Sequence, residues 1–321
     1  MKRTLSLSLA VALLAFVALS AARLSNTAHA QQNERAQTEG TGAPETIKHR
    51  ANPHDLGDAL TAGSTGTLSA ITYHGGDLIS TPTAYVIWYG NWNQANNSDT
   101  PAGQQIVRDF LNTVGGSPYY NINTSYSVSG HTITGNVVNG SETTDAYSRG
   151  SRLRDSDILT VVNSAITSGR LPYNSNGVYF VLTSSDVNES SGFCTKYCGW
   201  HTAATPSAGH VRYSFVGNAN RCLSSCAAQS TSPNGNAGVD GMISVIAHEL
   251  EEANTDPDPR SGWVDSGGSE NADKCAWTFG GAQFQTANGS WANMTLGSRN
   301  FLIQRNLKAT DNKCYISGTQ Q

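Results

Sequence analysis

Between residues 67 and 319, short apolar runs that suit strands alternate with longer stretches whose apolar residues recur every three or four positions. Thr83-Ala-Tyr-Val-Ile-Trp-Tyr89 is almost wholly apolar, rich in aromatic and β-branched residues, and closes on Gly90-Asn91, which predicts a buried strand. Pro101 opens a segment running to Val114, with Ile106, Phe110, Leu111 and Val114 at helical spacing; proline suits the first helical position. Alternation over 132–138 predicts a further strand. Leu153, Ile158, Leu159, Val162 and Ile166 predict a helix over 153–168 that stops at Gly169. Residues 178–182 and 211–216 are predicted as central strands, and 184–210 as a long loop.

The last periodic stretch, 239–254, predicts a helix with Val239, Met242, Ile243, Ile246, Ala247 and Leu250 on one side. His248 and Glu252 fall opposite that stripe, facing a cleft or bulk water. Asp240 is placed as the N-cap of a 241–254 helix, and Asp256-Pro257-Asp258-Pro259 ends it, because proline disfavours helical geometry in the residue before it. Strands and helices in alternation predict one α/β domain, with α+β as the variant, built as a mixed sheet with packed helices.

The chain ends change this picture. Lys2 and Arg3, the apolar run from Leu5 to Leu19 and Ala28-His29-Ala30 have the form of a signal peptide over 1–30; the apolar run is short for a membrane span. Residues 31–66 are polar and poor in large apolar side chains, the composition of a flexible linker or pro-segment. The expected product is therefore secreted, extracellular or periplasmic, with no membrane span after cleavage. Cleavage would take Lys2, Arg3 and Arg23 and no acid from 20 basic and 24 acidic residues, leaving 17 against 24, or −7. That balance argues against a nucleic-acid partner, which needs a basic face. Six cysteines, Cys194, Cys198, Cys222, Cys226, Cys275 and Cys314, point in an exported chain to three disulfides in one of about fifteen connectivities. The two C-x₃-C pairs also have the make-up of a Cys₄ zinc site.

The chemistry concentrates on the last helix. His248-Glu-Leu-Glu-Glu252 places an imidazole and a carboxylate one turn apart, and Glu270 follows eighteen residues on. His248, Glu252 and Glu270 are the expected metal ligands, for Zn²⁺ first, with Ca²⁺ or Mn²⁺ compatible with the oxygen-rich set. Glu249 stands where a zinc-hydrolase helix keeps its general base, and Asp273 where a carboxylate would orient a ligand histidine. The layout is similar to that of the glutamate-ligated zinc peptidases, which implies a zincin-like fold and a metal-dependent hydrolase, acting on a peptide or cell-wall substrate. The second ligand is glutamate rather than the usual histidine. His201 is expected to be a surface or hydrogen-bonded histidine, or else an oxyanion stabiliser. No Gly-x-Ser-x-Gly elbow or Gly-x₄-Gly-Lys phosphate loop occurs.

Several blocks in order resemble the EXORDIUM, or phosphate-induced protein 1, family of plant secreted proteins, here as a bacterial branch. They are Tyr73-His74-Gly75-Gly76, Val86-Ile87-Trp88-Tyr89-Gly90, Phe193-Cys194, Tyr197-Cys198-Gly199-Trp200-His201, Phe215-Val216-Gly217-Asn218, Cys222 with Cys226, Pro233-Asn234, Gly238-Val239-Asp240-Gly241-Met242 and Cys314. The resemblance implies export, paired cysteines and an extracellular, wall-associated protein acting in growth responses, and it assigns no catalytic residue. A non-catalytic protein acting by binding is therefore the alternative to a hydrolase.

Overall fold

The computed structural model describes residues 45–48 and 69–317; the expected signal peptide and most of 31–66 lie outside the described residues. The main sheet has six strands: β1 (Glu45–Lys48), β2 (Thr83–Tyr89), β3 (Val138–Asp145), β4 (Gly177–Thr183), β5 (Tyr197–Ala204) and β6 (Val211–Gly217). Their order across the sheet is β1-β5-β6-β4-β2-β3. β3, β2, β4 and β6 are parallel, whereas β5 runs antiparallel to both β6 and β1. The sheet is thus mixed, five strands coming from the 69–317 body and Glu45–Lys48 adding the sixth.

Three helices cover it: α1 (Pro101–Val114), α2 (Asp155–Thr167) and α3 (Ala237–Thr255). β2 passes through α1 to β3 on one side, and β3 passes through α2 to β4 on the other. Right-handed crossovers in opposite directions put the two helices on opposite faces. α1 shares its face with α3, against which it packs, and α2 packs on β4 and β6. With both faces covered, every residue of β4, β5 and β6 is buried. Trp88, Trp200, Phe110, Phe180 and Phe215 are the bulk of this core, each burial contributing about 1.5–3 kcal/mol. None of the described helices is long and apolar enough to cross a membrane.

Four local expectations are corrected. The strand expected over 132–138 lies at Val138–Asp145, because Gly135 takes a left-handed φ of +73° that ends extended pairing, and the true strand is a polar sheet edge without an apolar period. The 184–210 loop contains β5, whose sequence Tyr-Cys-Gly-Trp-His-Thr-Ala-Ala has Thr202 as its single β-branched residue and includes a glycine and two alanines, which are depleted in strands. Of the two settings expected for the polar side of α3, a cleft or bulk water, bulk water is excluded, because residues 241–255 are buried on every side. Its N-cap is Asn236, whose side chain accepts from the Val239 amide, while Asp240 in the first turn accepts from the Asn234 amide.

The cysteines form Cys194–Cys222, Cys198–Cys226 and Cys275–Cys314, so the Cys₄ alternative is excluded. The first two bridges join the start of β5 to the short helix Leu223–Cys226 and its preceding turn.

Candidate metal centre

α3 delivers most of the site. His248 and Glu252, four residues apart, stand one above the other, and His248 Nε2 lies 2.9 Å from Glu252 Oε1. β5 crosses beside this helix and contributes His201. Gly199 and His201 point to the same face, two residues apart on a strand. A methyl group on Gly199 would sit 2.5 Å from Val245 Cγ1 and 2.9 Å from the Phe215 carbonyl oxygen, so glycine lets the strand approach the helix closely. His201 Nδ1 consequently lies 3.2 Å from Glu249 Oε2 and 3.6 Å from Glu252 Oε2.

A returning segment closes the other side. Past α3, the Asp256 carboxylate accepts the backbone amides of Arg260, Ser261 and Gly262, which turns the chain. The chain reaches Glu270 and then a tight turn, Asp273–Cys275, held by the Cys275–Cys314 bridge. The Asp273 amide donates to Glu252 Oε1 at 2.9 Å, and its carboxylate Oδ1 stands 3.5 Å from His248 Nε2. Glu270 Oε1 lies 3.6 Å from His201 Nε2, with the Asp256 carbonyl oxygen 3.4 Å from the same nitrogen. Lys274 turns away to Asp265, at 2.5 Å.

Two groups of potential ligand atoms result, each with its atoms within 4.8 Å of one another: His248, Glu252 and Asp273, and His201, Glu249 and Glu252. Zinc ligands at roughly 2.0–2.1 Å in a tetrahedral array stand about 3.3 Å apart. The measured separations of 2.9, 3.5, 3.2 and 3.6 Å bracket that spacing. The donor set of imidazoles and carboxylates therefore fits a divalent cation.

Electrostatics sharpen the point. His201, His248, Glu249, Glu251, Glu252 and Glu270 are all at most 1% exposed. Burying an ionised side chain costs several kcal/mol unless its charge is compensated. Burial alone would lower the His201 imidazole, yet the Glu249 hydrogen bond and the charges of Glu249, Glu252 and Asp256 carry it up to about 9. Burial likewise opposes charge on His248, but Glu252 and Asp273 hold it well above its ordinary value. Burial pushes Glu252 up to about 7 against the pull of His248, and raises Glu249 against that of both histidines. Glu249 Oε1 has no hydrogen-bond partner. Without a cation the cluster must hold protons in place of one.

Of the residues singled out by spacing, His248, Glu249 and Glu252 meet in one buried centre. Glu270 reaches the same centre at His201, and Asp273 is the carboxylate that reaches His248. His201 joins because of β5, and the alternation Cys198-Gly-Trp-His201 was the available signal for that strand.

The match to the family model described as "Phosphate-induced protein 1 conserved region" spans residues 71–316. Relatives from Arabidopsis thaliana include Protein EXORDIUM-like 3, 35% identical over 59% of this chain and 63% of its own length, so slightly under two-thirds of that protein is matched. Protein EXORDIUM-like 5 is 31% identical over 74% of this chain and 76% of its own, and Protein EXORDIUM-like 4 is 26% identical over 69% and 82%. No solved structure matches the chain. Three disulfides and these relatives accord with an extracellular protein. With its match covering five of the six sheet strands, α3 and all six cysteines, the chain belongs to the phosphate-induced protein 1 family.

Proposed function

We propose that this chain is an exported metal-dependent hydrolase that acts on peptide substrates, with Zn²⁺ the preferred ion and Ca²⁺ or Mn²⁺ compatible with its oxygen ligands. The observation that carries this reading is the convergence of His248 Nε2, Glu252 Oε1 and Asp273 Oδ1 beside Glu249. His248 and Glu252 are the helix-borne ligands and Asp273 the third; Glu270, the ligand expected from spacing, would instead orient His201. Asp273, with 22% of its side chain exposed, gives this group its opening to solvent, as a catalytic site requires.

Zinc held there would make a bound water acidic and polarise a carbonyl. The protein's own contribution is Glu249. Its Oε2 is steadied by His201, and its unpartnered Oε1 is the basic oxygen that takes a proton from the attacking water and returns it to the leaving amine. Metal analysis after zinc loading, followed by assay with quenched fluorescent peptides, tests the reading. Glu249→Gln should keep the ion held by His248, Glu252 and Asp273 and slow turnover by about 10²–10⁴-fold. A chain that takes up no divalent ion sinks the proposal.

A second reading is favoured by the burial of His248, Glu249 and Glu252: a non-catalytic extracellular protein that acts by binding, with a structural cation. On that reading Glu249→Gln leaves metal content unchanged, and no peptide is cleaved by either form.

A further inference from the structure

We infer that the centre takes two cations, bridged by the Glu252 carboxylate, with His201 and Glu249 as ligands of the second. The inference rests on the cation reading above and adds a site to it. Glu252 offers a different oxygen to each group: Oε1, which also accepts the Asp273 backbone amide, to His248, and Oε2 to His201. One carboxylate that spans two ligand groups is the arrangement by which metals are held about 3.5–4 Å apart in two-metal sites.

Two further features mark the second group as more than a collection of acids. The first is the setting of His201. A ligand imidazole donates its other ring N–H to a carboxylate or a backbone carbonyl, which fixes the tautomer and aims the lone pair. His201 Nε2 has both acceptors in place, the Asp256 carbonyl oxygen at 3.4 Å and Glu270 Oε1 at 3.6 Å. Without a cation the Nδ1–H donates to Glu249 Oε2 at 3.2 Å; with a proton kept on Nε2, a cation takes the place of the Nδ1 proton, between Nδ1, Glu249 Oε2 and Glu252 Oε2. The second is Glu249 Oε1, an oxygen of a wholly buried side chain that accepts no hydrogen bond and is left with lone pairs facing the protein interior.

The two sites differ in access. The first opens toward solvent at Asp273, while every ligand of the second is at most 1% exposed. The second is a closed site that holds β5 against α3, and its ion exchanges slowly. One imidazole with two carboxylates suits zinc or manganese.

The test uses the full chain, purified without chelator, loaded with Zn²⁺ alone and freed of excess by gel filtration. Elemental analysis should find about two ions per chain, and X-ray absorption a metal–metal vector of about 3.5–4 Å. His201→Gln and His248→Gln should each leave about one ion, the first removing the slowly exchanging one. One ion in the wild type, retained in His201→Gln, overturns the second site and leaves the first standing. One ion lost in His201→Gln but retained in His248→Gln overturns the two-ion arrangement and the first assignment together, and no ion sinks both readings. The absorption measurement needs no variant, so a misfolded His201→Gln does not shield the inference.

Discussion

At the residue scale the chain treats buried charge in two ways. Arg212 on β6, 8% exposed, is satisfied by neighbours: Asp258 Oδ2 at 3.0 Å, Asp77 Oδ2 at 3.1 Å and the Ser175 carbonyl oxygen at 2.8 Å. Burial would raise the Asp258 carboxyl, but the Arg212 hydrogen bond and charge, with those of His210, hold it below its usual value. Such a depressed carboxylate contributes stability that is full above the unfolded value, about 3.9, and is lost as pH falls through the folded one. Asp258→Asn should therefore cost about 1–3 kcal/mol at pH 7. In urea titrations the gap between variant and wild type should be constant above about pH 4 and narrow as pH falls further; a gap that does not narrow in acid contradicts the assignment. In the histidine–glutamate centre burial outweighs the pull of His201 and His248, which is why the Glu249 and Glu252 carboxyls are raised.

At the scale of elements the site depends on how closely β5 can lie on α3. Gly199 sets that distance, since any side chain there meets Val245 and the Phe215 carbonyl. Gly199→Ala should cost about 1–3 kcal/mol through overpacking and draw His201 away from Glu249. Thermal melting gives the first effect; the second appears as a shift of the His201 imidazole from about 9 toward the ordinary histidine range, read by NMR titration of the metal-free protein. Leu250, wholly buried on the apolar side of α3, anchors the same helix. Leu250→Ala should remove about 2–5 kcal/mol, measured by urea unfolding, and a loss below 1 kcal/mol would mean that the helix is not packed as described.

At the scale of the molecule, the segment that completes the centre is tied down by a covalent bond to the chain's far end. Cys275 and Cys314 are 39 residues apart, and closing a loop of that length restricts the unfolded chain by about 4 kcal/mol. Removing both sulfurs, as Cys275→Ala with Cys314→Ala, should lower stability by up to about that amount. It should also raise amide exchange over 270–275 more than in β4, whose pairing does not involve the bridge. Uniform loosening of the whole sheet would contradict this local role.

Much of the architecture was legible along the chain because local patterns and burial agree there. Residues 83–89 and 101–114 appear as a strand and a helix with the bounds their composition indicates, and the motif His248-Glu-Leu-Glu-Glu252 announced a polar cluster one helical turn long. Three decisions belonged to the tertiary structure. Which cysteines pair, that His201 rides a strand into the centre, and that Glu270 approaches His201 while Asp273 approaches His248 all depend on contacts between residues 20 to 70 positions apart. Periodicity reports which side of an element is apolar. It carries no information on what later segment is laid across the polar side, and here that segment buries the charges.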